Sequence, residues 1–288
     1  MRVAVLGTGR MGTALAKRLL SGGHDVSAWN RSPEKTREVV AAGGRADLTP
    51  SAAMEGADVV LTSLSDDLAV REIALSRGGV LEWAGHGAPY METSTVSPQL
   101  TGELAGLFPS FAAVPVLGGP ATVLAGDATY LVGTADATFQ VIEPLLTAFG
   151  GRMRRYGSAS LASTAKLAVN LLLLSHAVSL AESFALGRAG GLSDDQLREL
   201  IGGLVAPGVK NRFEALLGSA AEGWWTTALG AKDASLAVEL ARLGGADLQV
   251  GEAVRQAYLR VAQEGHANED IAAVRHLYDA GKKPGPQT

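Results

Sequence analysis

The sequence predicts two fold classes in succession, an α/β amino-terminal half built on a parallel sheet and an all-helical carboxy-terminal half. Three observations carry that prediction. Short β-branched runs alternate with helical segments, the first run leads straight into G-x-G-x-x-G, and strand signals vanish from Ser158 onward in favour of long Leu/Ala-rich stretches.

Taken in order, Val3–Leu6 reads as a strand and Thr13–Ser21 as a helix that stops at Gly22-Gly23. The strand Asp25–Trp29 follows, then a helix over Pro33–Ala42, with Pro33 where a first turn tolerates it. Val59–Leu64, Val114–Val116 and Thr129–Val132 complete the strands, and Pro98–Leu107 is the remaining clear helix. In the second half a helix over Leu161–Ala189 ends at Gly190-Gly191, and Ser193-Asp194-Asp195 is an N-cap signature. Further helices cover Asp233–Gly244, Gly251–Glu264 and Ile271–Ala280. The expected division is residues 1–160, 161–282, and a disordered tail at 283–288 that contains Pro284 and Pro286.

At 288 residues the chain exceeds one typical domain, and an apolar fraction of 47% can bury a sizeable core. A formal net charge of −4 gives no electrostatic reason to expect nucleic acid or an anionic membrane. The absence of cysteine excludes disulfides and thiolate chemistry and fits a cytoplasmic protein. Leu167–Leu186, the longest apolar stretch, carries Asn170, His176 and Glu182 and therefore reads as a buried helix, not a membrane span.

The glycine loop is the first functional signal. After a strand and before a helix, Gly7 makes the turn, Gly9 lets backbone approach a pyrophosphate, and Gly12 lets helix pack on strand. That context makes the first half a Rossmann-type nucleotide-binding domain, with Thr8, Arg10 and Met11 as further loop candidates. An NAD-preferring site has an acidic residue about 20 residues on. Here the second strand ends in Asn30-Arg31-Ser32, where a guanidinium and a hydroxyl suit a 2′-phosphate. NADP(H) is therefore expected over NAD(H).

Four further segments, with the glycine loop, resemble the β-hydroxyacid dehydrogenase family, the group similar to 3-hydroxyisobutyrate dehydrogenase and glyoxylate/succinic semialdehyde reductases. They are Glu92-Thr93-Ser94-Thr95-Val96-Ser97-Pro98, Val116-Leu117-Gly118-Gly119, the helix carrying Lys166 and Asn170, and Lys232-Asp233-Ala234-Ser235-Leu236-Ala237. The resemblance implies Lys166 and Asn170 as catalytic, with Ser94, Leu117, Gly118 and Gly119 beside them on substrate. It adds Leu64, Thr95 and Lys232 to the cofactor set, and it implies a homodimer. Lys166 and Asn170 stand four apart and project from one helix face, and an ammonium there can protonate the alkoxide formed by hydride transfer. Lys232, read as a helix start where the dipole disfavours a cation, points to a cofactor role.

The chain departs from the family pattern at Leu117, where serine is usual, at Ser160 and Ala162, where glycines are usual, and at Pro120-Ala121-Thr122. The reaction type therefore carries over more directly than the substrate, a small carbonyl compound or hydroxy acid. An NADPH-dependent imine reductase and a catalytically silent NADPH-binding protein stay open as alternatives. His24 reads as a turn residue, and His86, His176, His266 and His276 show no metal spacing, so no metal is expected.

Overall fold

The computed structural model describes residues 1–84, 87–205, 207–218 and 223–278. The tail at 283–288 and His86 lie outside the described residues. The chain divides into two compact units, Met1–Lys166 and Leu167–Thr288.

The first unit begins β1 (Arg2–Leu6), α1 (Arg10–Ser21), β2 (Asp25–Trp29), a 3-10 turn (Pro33–Thr36), α2 (Arg37–Ala41) and β3 (Arg45–Ala46). Next come α3 (Pro50–Met54), β4 (Val59–Thr62), α4 (Asp67–Leu75), α5 (Val80–Trp83), β5 (Tyr90–Glu92) and α6 (Pro98–Leu107). It closes with β6 (Phe111–Ala113), β7 (Val116–Leu117), α7 (Pro120–Ala125), β8 (Thr129–Thr134), α8 (Asp136–Phe149) and β9 (Arg152–Tyr156). Strands β3-β2-β1-β4-β5-β6 lie parallel in that spatial order. The β8 strand is antiparallel to β6 and β7, and β9 runs parallel along it.

Alternate residues of each strand enter different cores: Val3, Val5, Leu61 and Met91 on one face, Ala4, Leu6, Val60 and Tyr90 on the other. A sheet covered on both faces needs such continuous apolar strands. The expected strand Val114–Val116 is corrected to two short ones. Residues Ala112-Ala113 and Val116-Leu117 pair with the same strand β8, and the break between them falls at Val114-Pro115. Proline has no N–H for the ladder. The expected helix Pro33–Ala42 is instead a 3-10 turn followed by the short α2.

A single helix, α9 (Ala159–Ala189), starts in the first unit and continues through the second. Ala159 and Ala162 enter a core of the first unit, and Leu174, Ala177, Ala181 and Phe184 that of the second. By length and composition α9 could cross a membrane, but its residues serve two protein cores. The rest of the second unit is α10 (Asp194–Gly202), α11 (Pro207–Lys210), α12 (Phe213–Leu216), α13 (Thr227–Leu243) and α14 (Gln249–Val261). A π turn (Ala262–His266) and a 3-10 segment (Ile271–Leu277) follow. Ser193 caps α10 in a full capping box with Gln196.

Candidate active site

Strand register assembles the first part of the site. Leu6 pairs with Trp29 and with Thr62, and Thr62 pairs with Glu92. The segments that begin at Gly7, Asn30, Ser63 and Thr93 therefore all leave the sheet at one edge. It is the carboxyl edge, and there the strand order reverses between β1 and β4, the position at which such sheets bind ligands.

In the glycine loop at that edge the protein's own packing accounts for Gly7 and Gly12 but not for Gly9. Gly7 has φ +101, and a Cβ on it would stand 2.4 Å from the Ser63 carbonyl oxygen. A Cβ on Gly12 would stand 1.9 Å from the Gly7 oxygen, so helix α1 can sit this close only with glycine. At Gly9 a Cβ would meet nothing within 4 Å. Thr8 Oγ1 is buried with no partner among the described residues. Open space over Gly9 beside an unsatisfied hydroxyl fits a dinucleotide phosphate at the start of the twelve-residue α1.

Asn30 has a part the sequence reading did not foresee. Its Oδ1 accepts from Thr8 N at 3.0 Å, and its Nδ2 donates to Ser32 O at 3.1 Å, so it ties the glycine loop to the turn carrying Arg31. Arg31 is exposed and Ser32 half-buried, and Arg31 makes no ion pair among the described residues. Arg10 is exposed, while Met11 packs on the core.

The Glu92–Ser97 segment is held by a buried carboxyl group. Glu92 Oε2 accepts from Thr62 Oγ1 at 2.5 Å and Tyr90 Oη at 3.0 Å, and Oε1 accepts from Ser94 N at 2.5 Å. Burial pushes the Glu92 carboxyl above its usual value, opposed by those hydrogen bonds, and burial also raises the Tyr90 phenol well above its own. The Ser94 hydroxyl accepts from Leu64 N at 2.8 Å, which links two predicted contact residues, and Thr95 lies half-buried beside it. Ser160 Oγ donates to Pro98 O at 2.9 Å, so the residue that replaces a family glycine anchors α9 to α6.

Lys166 Nζ donates to Val116 O at 2.7 Å, which brings it to the strand entering Leu117-Gly118-Gly119. Gly118 has φ +134, a conformation that excludes ordinary side chains, and Leu117 is half-buried against the core.

In the second unit Asn170 is buried and donates to Asp233 Oδ2 at 2.7 Å, where Trp225 Nε1 also donates at 3.1 Å. Lys232 Nζ lies 2.9 Å from Asp233 Oδ1, an ion pair without hydrogen-bond alignment. One buried carboxylate thus positions Asn170 and Lys232 together. Sequence reasoning missed this use of Asp233 and Trp225, although the Lys-Asp pair in the quoted motif was the available signal. Lys232 is not at a helix start, because Thr226 caps α13 and Lys232 falls in its second turn. The amino-terminal helix dipole therefore does not bear on Lys232. The histidine spacing also misleads, for the fold brings His266 and His276 together around Glu269.

Comparison with known proteins agrees with this architecture. Residues 2–157 match the NAD binding domain of 6-phosphogluconate dehydrogenase, and residues 161–278 the NAD-binding domain of NADP-dependent 3-hydroxyisobutyrate dehydrogenase. An uncharacterized oxidoreductase of Bacillus subtilis is 30% identical, over 95% of this chain and 98% of its own. An NAD-dependent L-serine dehydrogenase of Pseudomonas aeruginosa is 29% identical, over 96% and 98%. The solved structure of Mycobacterium tuberculosis 3-hydroxyisobutyrate dehydrogenase with L-serine has a TM-score of 0.81 at 26% identity, over 97% and 99%.

A Rossmann-type unit with a phosphate-accommodating glycine loop, followed by a helical unit of this kind, defines an NAD(P)-dependent oxidoreductase acting on hydroxyl groups. The chain belongs to the β-hydroxyacid dehydrogenase family.

Proposed function

We propose that the protein is an NADP(H)-preferring oxidoreductase that interconverts a small β-hydroxy acid or related hydroxyl compound and its aldehyde or ketone. The observation that carries the reading is Lys166, a half-buried ammonium held at 2.7 Å on Val116 O beside the glycine pair. The nicotinamide, when bound, supplies or accepts the hydride. Lys166 gives the proton to the nascent alkoxide in reduction and takes it from the hydroxyl in oxidation. Asn170, fixed by Asp233, orients the reacting group, and Lys232 and Thr95 belong to the cofactor set. Ser94 and the Leu117–Gly119 turn face the substrate, with Leu117 making that wall less polar than the usual serine.

Arg31 takes the 2′-phosphate. Its exposure and its lack of an ion pair among the described residues support that role, and two charge-assisted hydrogen bonds are its natural product. Exposed Leu161, Leu172 and Leu186 on α9 support a homodimer, and the cysteine-free composition a cytoplasmic location. Sedimentation giving a dimer mass at micromolar protein is expected, and a monomer would end that part of the proposal.

The first prediction is that Lys166→Ala lowers turnover by at least about a hundredfold, while NADPH binding by fluorescence titration stays near wild type. Turnover near wild type sinks the assignment. The substrate panel should contain L-serine, 3-hydroxyisobutyrate, short semialdehydes and cyclic imines. Turnover of imines alone would assign imine reduction, and cofactor binding without any turnover a silent protein. The second prediction is that Arg31→Ala weakens NADPH binding by about tenfold or more and leaves NADH binding unchanged. Equal effects on both cofactors would refute the 2′-phosphate role.

A further inference from the structure

Three side chains with no part in the reading above converge where the chain leaves α14. His266 closes the π turn, Glu269 lies in the following turn, and His276 sits in the 3-10 segment Ile271–Leu277. Their ligand atoms all lie within 4.8 Å of one another. Glu269 Oε1 is 2.6 Å from His266 Nδ1, and Oε2 is 3.5 Å from His276 Nε2, so one carboxylate spans two imidazoles. The two rings face each other with centroids 4.2 Å apart.

The backbone that carries these residues is pinned. Thr227 Oγ1 donates to His266 O at 2.6 Å, Thr227 N to Glu269 O at 2.8 Å, and Glu269 N to His266 O at 3.0 Å. Asp270 accepts from Ala272 N at 3.1 Å and from Arg212, whose side chain is as buried as its own. The side chains keep some freedom: His266 and His276 are 22% and 19% exposed, and Glu269 is 52% exposed.

We propose that His266, Glu269 and His276 bind a divalent cation of the Zn2+ class. Two imidazole nitrogens and one carboxylate oxygen suit Zn2+, Co2+ or Ni2+, whereas Mg2+ and Ca2+ take oxygen donors. Bonds of about 2.0–2.2 Å around a tetrahedral ion place neighbouring donors roughly 3.3 Å apart. The 3.5 Å contact already has that spacing. The 2.6 Å hydrogen bond opens by less than 1 Å, a shift within reach of the exposed Glu269. One imidazole turns about its Cβ–Cγ bond, exchanging the ring stack for a second metal–nitrogen bond. The open side of Glu269 leaves a position for water.

Such an ion ties the turn after α14 to the last described segment of the chain. It also braces the stretch that bridges to Thr226 at Asp270 and hydrogen-bonds to Trp225 through Ile271 N. The site is independent of the oxidoreductase reading and is tested without any turnover assay.

The experiment uses untagged protein, stripped with a chelator and dialysed, then titrated with Zn2+ by calorimetry and with Co2+ by visible absorption. Saturable one-to-one binding is expected, with a Co2+ spectrum of nitrogen ligation and a higher Tm in Zn2+. His266→Gln and His276→Gln, two separate variants checked for folding by circular dichroism, should each weaken binding by at least about tenfold. His24→Gln, in the first unit, should leave it unchanged. No saturable binding by the unaltered protein overturns the proposal. So does affinity that survives both exchanges, or that falls with His24→Gln.

Discussion

Glu92 illustrates how much a single buried carboxyl group organises. Its hydrogen bonds join β4, β5 and the Ser94 turn, and Ser94 in turn holds Leu64. Because burial raises its folded value above the ordinary 4.5, the unfolded chain releases the proton first as pH rises. The folded state then binds more protons than the unfolded one, and stability falls through that window until the raised value is passed. The third prediction is therefore that the unaltered protein loses stability relative to Glu92→Gln as pH rises above the ordinary carboxylate value of 4.5, read from urea midpoints. A difference that stays flat with pH would mean that burial does not perturb this carboxyl. The sequence marked Glu92 as the acidic residue of a motif. Its partners Thr62 and Tyr90 were not legible, because only sheet register sets Thr62 opposite Glu92.

Among the elements, α1 was read from sequence almost as it stands, since its glycines and periodicity agree. Its seating on β1 depends on Gly12, where a Cβ would overlap the Gly7 oxygen. The fourth prediction is that Gly12→Ala weakens nicotinamide-nucleotide binding by at least about tenfold in fluorescence titration, because the loop must shift to relieve that overlap. Unchanged binding would show that the loop does not hold the phosphates. Other elements were harder. Strands β3, β5, β6 and β7 have two or three residues each, too few for periodicity, and β9 has no apolar alternation because Arg152, Arg154 and Arg155 are exposed along it. The first turn of α13 was hidden by Gly230. That glycine is kept because a Cβ would press on Leu174, Ile271 and Tyr258 at 3.1 to 3.3 Å.

At the scale of the whole molecule, α9 is a continuous helix whose residues enter the cores of both units. Ala168 is exposed on it, so replacing that side chain removes no packing. The fifth prediction is that Ala168→Pro destabilises the protein by about 3 kcal/mol in urea denaturation, entirely through the lost backbone bond and the ring clash. A change near zero would mean that the helix is already broken at this point.

The sequence by itself determined the fold class, the glycine loop with its nucleotide chemistry, and the chain positions of the family motifs. These are local properties, readable from spacing, propensity and residue type. Only the tertiary structure decided that Asn30 braces the glycine loop, that Asp233 holds Asn170 and Lys232, and that two histidines share Glu269. Each depends on partners brought together by sheet register or helix packing, and a short-range pattern carries no record of those contacts.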